Sequence, residues 1–273
     1  MRPRALAALL LPAYAFLYLP LAFMLVFSFN DSRLLTAWTG FSFRWYVALW
    51  NNGPLLEAAL LSLGIAAMAA SLATLTGTAL GYVLARGGAF RGRTGFAALL
   101  AAPLVLPDVI IGLSLLLLFV ASQALIGLPA ARGAGTITLA HASFGMAYVA
   151  VSVRARLTDA GTELEEAAAD LGAPPFAVFR RVTLPLMAPA VASGWLLAFT
   201  LSLDDVVVAS FVGGPGATTL PMRLFSAAKL GVTPEFYALA SIVMLLVALA
   251  LGGAWLLRRA FPLRPVAARA GVE

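Results

Sequence analysis

Long apolar runs separated by short polar segments make up most of this 273-residue chain. The runs are rich in Leu and Ala and do not alternate with polar positions, which is typical of helices rather than of barrel strands. At 1.5 Å of rise per residue, about 17–25 residues cross the hydrocarbon core of a bilayer. Six runs predict transmembrane helices: Ala5–Phe29, Leu56–Ala85, Phe96–Ala121, Thr136–Val153, Ala188–Phe211 and Phe236–Leu257.

Local features inside these runs predict further detail. The first run is longer than the roughly 7–15 apolar residues of a signal peptide, so we expect it to be a membrane helix. Gly77 and Gly81 form a GxxxG pair, which predicts close packing of the second helix against a neighbour. Four prolines inside the runs predict kinks: Pro12, Pro20, Pro103 and Pro107.

Composition supports a membrane protein and excludes several kinds of site. Hydrophobic residues make up 62% of the chain and charged residues 11%, against about 25% charged in soluble domains. With no cysteine and one histidine, the chain has no thiolate site or multi-histidine metal centre. The net charge of +6 does not predict nucleic-acid binding, because the basic residues punctuate the apolar runs instead of clustering.

The basic residues predict the orientation, because cytoplasmic loops of membrane proteins are enriched in Lys and Arg. A cytoplasmic N-terminus leaves five basic residues outside: Arg33, Arg44, Arg132, Arg223 and Lys229. It leaves thirteen inside: Arg2, Arg4, Arg86, Arg91, Arg93, Arg154, Arg156, Arg180, Arg181, Arg258, Arg259, Arg264 and Arg269. The predicted fold is therefore an all-α, polytopic membrane protein of six helices with both termini in the cytoplasm.

One inner segment, residues 154–187, has a distinct pattern and is called the coupling segment below. Its residues Glu163–Leu171 are good helix formers, Gly172 suits a left-handed helix end, and Pro174–Pro175 suits the start of a second helix. Leu184–Pro185 is expected to end that second helix.

An apolar ridge is predicted on this second helix, because Phe176, Phe179 and Val182 recur at a spacing of three. A helix with such a ridge outside the membrane either folds back on its own bundle or docks in the groove of a soluble partner.

The coupling segment resembles the EAA motif of type I ABC importer permeases, in which EAA, a glycine and I-x-L-P follow at fixed spacing. The matching residues are Glu166, Ala167, Ala168, Gly172, Val182, Leu184 and Pro185, with Val182 where the family usually has isoleucine. Gly161 stands where the family commonly has aspartate, which leaves open how the EAA helix is capped or contacts the ATPase. The resemblance implies that this segment, including Phe176 and Phe179, docks in a separate ATPase subunit. The chain itself has no G-x-x-x-x-G-K-[ST] loop.

The resemblance covers nearly the whole chain and points to the putrescine/spermidine branch of these permeases, most of all to the second permease subunit of putrescine systems. Four segments carry it: SFNDSRLLTAWTGFSFRWY, RGRTGF, APLVLPDVIIGLSLLLLFV and AFTLSLDDVVVASFVGGPGATTLPM. It implies one permease domain over residues 1–273 in a bacterial inner membrane. The implied partners are a second homologous permease, a cytoplasmic ATPase dimer that uses ATP, and a periplasmic substrate-binding protein. No cofactor or metal is expected on this chain.

Three aspartates fall inside the predicted helices. Asp108 is placed near the membrane midplane, and Asp204 and Asp205 in the outer half. Each costs roughly 2.5–3.5 kcal/mol to insert, so a carboxylate there should face protein, water or a cation. No Lys or Arg lies in the six runs. Together with the polyamine resemblance, this predicts that the three aspartates line a substrate pathway, with Trp45 as an aromatic contact near its outer mouth.

Other interpretations of the same residues stay open. Asp205 could bond a broken helix end, Asp108 follows Pro107 at a kink, and a partner permease could supply an arginine. His141 is expected to form an interhelical hydrogen bond.

The chain as a whole also has alternative interpretations. It could import another small cation or organic solute. An intramembrane enzyme with a carboxylate dyad and a secondary carrier with inverted repeats are less consistent with the sequence. Neither explains the EAA-like segment, so we predict no catalytic residue.

Overall fold

A computed structural model describes residues 3–33, 37–231 and 233–260 of the chain. The helices in these residues are α1 Pro3–Phe27, α2 Arg44–Asn51, α3 Gly53–Arg86, α4 Arg93–Ala101, α5 Asp108–Ile126, α6 Ala134–Asp159, α7 Glu163–Asp170, α8 Pro175–Val178, α9 Leu184–Asp204, α10 Val207–Val212, α11 Leu220–Leu230 and α12 Glu235–Ala260. For the described residues, the predicted all-α fold is confirmed.

Five of these helical stretches are long and apolar enough to cross a membrane. They are Leu10–Phe27, Gly53–Arg86, Asp108–Ile126, Ala134–Asp159 and Pro175–Asp204. In α12 the described apolar stretch, Glu235–Leu249, falls short of that length. The chain is thus a multi-pass membrane protein.

The helices group into two compact units. One contains the described residues up to Gly53 and those from Leu230 onward, and the other is Pro54–Lys229. The prediction of one domain over residues 1–273 stays a prediction.

In the core of the larger unit, α6 packs against α9 and also lies very close to α3. A Cβ atom added to Gly77 would lie 2.6 Å from the Met146 carbonyl oxygen, and one added to Gly81 would lie 2.6 Å from that of Ala150. Only glycine allows the α3 backbone to approach α6 so closely. The close packing predicted from the GxxxG pair is confirmed.

The third predicted span is wrong as a single helix over Phe96–Ala121. In the structure α4 ends at Ala101, a 3₁₀ turn follows over Ala102–Leu104, and α5 begins at Asp108. Pro107 immediately precedes α5, and another proline lies in the turn. A proline ring clashes with the preceding helical turn and has no N–H to donate. Asp108 therefore begins a helix instead of lying in the middle of one.

The fifth predicted span, Ala188–Phe211, is also divided. Helix α9 ends at Asp204 and α10 begins at Val207, with Asp205 in an extended conformation at φ −68° and ψ 129°. The linker contains no glycine or proline to mark the break. A phenylalanine of α10, Phe211, packs on α5 where Gly112 leaves room for its ring.

The coupling segment is more helical than its sequence predicts. Helix α6 continues to Asp159, so the first residues of the segment belong to that long helix. Leu184–Pro185 does not end the second helix, because α8 passes through a π turn at Phe179–Thr183 directly into α9. The wider π turn leaves Pro185 in the first turn of α9, where its missing N–H is tolerated.

The smaller unit packs α2 against α12 and α1 against α12. The Tyr46 hydroxyl lies 2.8 Å from the hydroxyls of both Ser28 and Ser241, and so connects residues close to all three helices. The buried Trp45 donates its indole N–H to the Asn30 carbonyl at 2.7 Å.

Candidate functional site

All three predicted aspartates line one cavity in the larger unit, called the aspartate cavity below. Its volume is about 310 Å³. The lining residues are Pro103, Asp108, Ile111, Phe144, Tyr148, Leu201, Asp204, Asp205, Val206 and Val207. None of them is a lysine or an arginine. The three carboxylates converge because both helix breaks, before α5 and after α9, border the same space.

Asp108 and Asp204 are the accessible carboxylates of the aspartate cavity. Both residues are exposed, and neither carboxylate forms an ion pair or a hydrogen bond to another side chain in the described residues. Asp108 occupies the first turn of α5, where the partial positive charge of the helix N-terminus favours an acidic side chain. Their charge is available to a cation that enters the cavity.

Asp205 is held differently, although it borders the same cavity. Its Oδ2 atom accepts a hydrogen bond from the Ala209 N–H at 2.7 Å, and its Oδ1 atom accepts one from the Val208 N–H at 3.3 Å. These bonds satisfy free donors at the start of α10, as capping side chains do. Only 9% of the Asp205 side chain is exposed. The interpretation of Asp205 as an acceptor at a broken helix end agrees with this geometry.

His141 connects α6 to the end of α9. Its Nδ1 atom lies 2.6 Å from the Ser202 hydroxyl, and its Nε2 atom lies 3.1 Å from Oδ2 of Asp205. The imidazole is buried, with 1% of the side chain exposed. The interhelical hydrogen bond predicted for His141 is confirmed.

Two aromatic residues of the cavity, Phe144 and Tyr148, were missed by the sequence analysis. Both are half-buried, and they line the aspartate cavity from α6. Aromatic faces attract cations within about 6 Å. The available signal was their spacing from His141, because residues three and seven positions apart share one helix face.

Trp45 belongs to the smaller unit and does not line the aspartate cavity. The guanidinium carbon of Arg44 lies 4.7 Å from the centre of its ring. Its indole N–H is already bonded to the Asn30 carbonyl. The role of Trp45 as an aromatic contact for substrate stays a prediction.

The turn of the coupling segment has the predicted conformation. Helix α7 carries Glu166 and Ala167, both exposed, and the half-buried Ala168. Gly172 adopts a φ of +84°, and its N–H donates to the Ala169 carbonyl at 2.8 Å. A left-handed glycine after a helix is the conformation expected there.

The predicted apolar ridge is only partly exposed. Phe176 is 73% exposed and Leu184 is 42% exposed. In contrast, Phe179 packs on its own unit, with its ring centre 5.5 Å from that of Tyr82, and Val182 is half-buried. The three residues are therefore not exposed together as one docking ridge, and the alternative that the helix folds back on its own bundle holds for Phe179 and Val182.

The larger apolar side chains left exposed around the turn are Leu164, Leu171 and Phe176. Leu171 is 90% exposed and directly precedes Gly172. The remaining predicted coupling residue, Pro185, is exposed as well.

Glu165 fixes the coupling segment to the membrane helices and was also missed. One of its carboxylate oxygens lies 2.7 Å from Nε of Arg86, the last residue of α3. The other oxygen accepts a hydrogen bond from the Thr183 hydroxyl in the π turn at 2.6 Å. Arg86 also donates to the Gly161 carbonyl at 2.5 Å. The adjacent Glu165 and Glu166 therefore differ, one bonded inward and the other exposed.

The sequence of residues 77–259 matches the family described as "Binding-protein-dependent transport system inner membrane component". The chain is 55% identical over 236 residues to the putrescine transport system permease protein PotI of Escherichia coli strain K12, which covers 86% of this chain and 84% of that protein. It is 43% identical over 239 residues to the spermidine/putrescine transport system permease protein PotC of Haemophilus influenzae, covering 88% of this chain and 90% of that one.

Solved structures resemble the fold. A bacterial ABC transporter involved in the import of the acidic polysaccharide alginate aligns with a TM-score of 0.66 at 15% identity, covering 94% of this chain and 95% of that one. The MetNI methionine ABC transporter aligns with a TM-score of 0.60 at 17% identity, covering 76% of this chain and 96% of that one.

Proposed function

The chain belongs to the family of binding-protein-dependent transport system inner membrane components, and on that premise we propose that it is a permease subunit of an ATP-driven polyamine importer, with putrescine as its main substrate. The named relatives are putrescine and spermidine/putrescine permeases. Members of this family carry solute and are not themselves enzymes.

The observation that carries the polyamine substrate is the aspartate cavity. It combines two accessible carboxylates, Asp108 and Asp204, with the aromatic faces of Phe144 and Tyr148. Ammonium groups bind carboxylates through charge-assisted hydrogen bonds and bind aromatic faces through cation–π contacts. Carboxylates at membrane depth, in a cavity whose lining has no lysine or arginine, favour a cationic solute over a neutral or anionic one.

Uptake by the native host tests this proposal. Deletion of the gene is expected to abolish high-affinity uptake of radiolabelled putrescine, and a plasmid copy is expected to restore it. Unlabelled spermidine should compete, whereas a neutral diol of the same length should not. Undiminished putrescine uptake in the deletion strain, with loss of transport of another solute, would reject the polyamine assignment.

The membrane arrangement that we propose has six spans, the sixth within α12, with both termini in the cytoplasm of a bacterial inner membrane. The excess of inner arginines supports it. Because the chain has no cysteine, a single cysteine introduced at Asp31 or at Asp159 is the only thiol of the chain. Its reaction with a membrane-impermeant thiol reagent shows on which side of the membrane that position lies. Labelling is expected at position 31 and not at position 159 in intact spheroplasts.

We propose that the coupling segment binds a separate ATPase subunit through the exposed side of α7 and the turn. Leu164, Leu171 and Phe176 offer exposed apolar side chains there, as helix-in-groove binding requires. The complex would also contain a second, different permease and a periplasmic substrate-binding protein. Transport by a purified complex with two copies of this chain and no second permease would contradict that composition.

Gly172→Val is expected to weaken this coupling. A Cβ atom at Gly172 would meet nothing within 4 Å, so the effect comes only from the backbone at φ +84°. A β-branched residue at positive φ costs about 1 kcal/mol or more, which lowers the equilibrium constant for forming the turn about fivefold. We expect a loss of up to about fivefold in ATPase co-purification and in putrescine uptake per inserted protein.

Gly172→Asn is the matched control, because asparagine tolerates the left-handed conformation. It should retain most ATPase binding and uptake. Equal losses in the two variants would show that a side chain at this position, and not the backbone conformation, causes the defect.

A further inference from the structure

The break between α9 and α10 brings two adjacent carboxylates to the aspartate cavity, but only one of them is accessible. Asp204 is exposed, whereas the Asp205 carboxylate receives two backbone N–H groups of α10 and one ring nitrogen of His141. The backbone bonds lie within the same short stretch of chain. His141 is the contact that comes from another helix, 64 positions away in the sequence.

The hydrogen-bonding roles of the His141 ring follow from its partners. An ionised Asp205 carboxylate can only accept hydrogen bonds, so Nε2 donates to it. In the neutral ring, Nδ1 then accepts from the Ser202 hydroxyl at 2.6 Å. Both nitrogens of the buried ring are thus occupied, and the ring is fixed between α6 and the last turn of α9.

We propose that His141 is a positioning residue of the cation site. By donating to Asp205 it holds that carboxylate on the N-terminus of α10, and this leaves Asp204 as the carboxylate that faces the cavity. His141 does not line the cavity itself and so acts on the substrate only through Asp205. This inference rests on the proposed polyamine transport.

Loss of the His141 donor has a defined consequence. Without the His141 donor, Oδ2 of Asp205 keeps only the bond from the Ala209 N–H. A carboxylate that has lost a hydrogen bond moves toward water or a cation. The α9–α10 break is then held less firmly, so the adjacent Asp204 carboxylate loses its fixed position in the cavity. Substrate affinity therefore falls, whereas packing around the break is largely retained.

The test compares His141→Gln with His141→Asn in the chromosomal copy of the gene. The amide nitrogen of glutamine extends as far as Nε2 and donates to Asp205, whereas asparagine ends near Nδ1 and reaches only Ser202. Concentration-dependent putrescine uptake is measured per inserted protein. His141→Asn is expected to raise the half-saturating concentration about fivefold to tenfold while leaving maximal uptake within about twofold. His141→Gln is expected to restore most of the affinity.

Ser143→Ala is the matched control on the same helix, because among the described residues its hydroxyl bonds only the Ala140 carbonyl. It should leave both uptake parameters unchanged. An unchanged half-saturating concentration in His141→Asn, at normal protein level, overturns the positioning role. Equal affinity losses in the glutamine and asparagine variants overturn it too.

If His141→Asn does not accumulate in the membrane, the test rests on the half-saturating putrescine concentration of His141→Gln. Near wild-type affinity then supports the donor role, and a tenfold loss overturns it. Absence of putrescine uptake by the wild type would reject the proposed function instead, so the two failures are distinguishable.

Discussion

Asp204→Asn is expected to raise the half-saturating putrescine concentration about 10- to 100-fold, because it removes an accessible charge from the aspartate cavity. A hydrogen bond to a charged group contributes about 1.5–3 kcal/mol, which corresponds to that range. Asparagine preserves the size and an acceptor oxygen, so the helix end should not change. The same substitution at Asp108, the other accessible carboxylate, is expected to have a similar effect.

Two controls make this result specific. Asp159→Asn neutralises an exposed aspartate at the end of α6 that does not line the cavity, and uptake should be unchanged. Asp205→Asn keeps one acceptor oxygen, which can still receive the shorter bond from the Ala209 N–H, and asparagine caps helices as well as aspartate does, so its effect should be smaller than that of Asp204→Asn. Wild-type uptake in both the Asp108 and Asp204 variants, at normal protein levels, would make these aspartates structural.

Gly77→Leu is expected to remove folded protein from the membrane almost completely. The Cβ atom of the new side chain alone would lie 2.6 Å from the Met146 carbonyl oxygen and 2.7 Å from Cβ of Val149. Neither is the end of a flexible side chain, so α3 and α6 must separate. Overpacking of this kind costs ~3 kcal/mol or more. The measurement is the amount of detergent-stable complex, together with uptake.

Gly64→Leu provides the comparison within the same helix. A Cβ atom there meets nothing within 4 Å, and Gly64 is exposed. It should accumulate nearly like wild type, because leucine is also a better helix former than glycine. Similar accumulation of the Gly64 and Gly77 variants would contradict the close α3–α6 contact.

Hydropathy was enough to predict the approximate positions of the five helices that are long and apolar enough to cross a membrane, because burial in lipid acts on long runs of side chains and not on single contacts. The helix and turn at Glu163–Gly172 were also predictable, since helix formers followed by glycine act locally. The GxxxG pair indicated a close contact, but its partner α6 is distant in sequence and could not be named.

The two helix breaks show where hydropathy stops being informative. Pro107 signals the first break, but an apolar run continues through it, so the predicted span began too early. The second break, at Asp205, has no proline or glycine and depends on bonds to Val208, Ala209 and His141. Such a break is a tertiary feature, because its stabilising partner lies on another helix.

At the π turn the prediction was wrong in the opposite way, because a helix end was predicted where the helix continues. Leu184–Pro185 was expected to end a helix, since proline disrupts a regular α-helix. One wider turn accommodates the proline, and the side chains that support that turn, Glu165 and Tyr82, come from other elements. Of the candidate site, the carboxylates were predictable from their cost in the membrane, whereas Phe144 and Tyr148 resemble ordinary core residues in the sequence.

The uninterrupted helix Pro175–Asp204 has a mechanical consequence. Its 30 residues form a rod of about 45 Å at 1.5 Å per residue. The exposed turn is at one end of this rod and an accessible carboxylate is at the other. Pivoting the rod near its middle by about 10° would carry each end through roughly 4 Å in opposite directions. In the transporter that we propose, this rod would act as a lever that converts a displacement at the coupling segment into a change of width at the aspartate cavity.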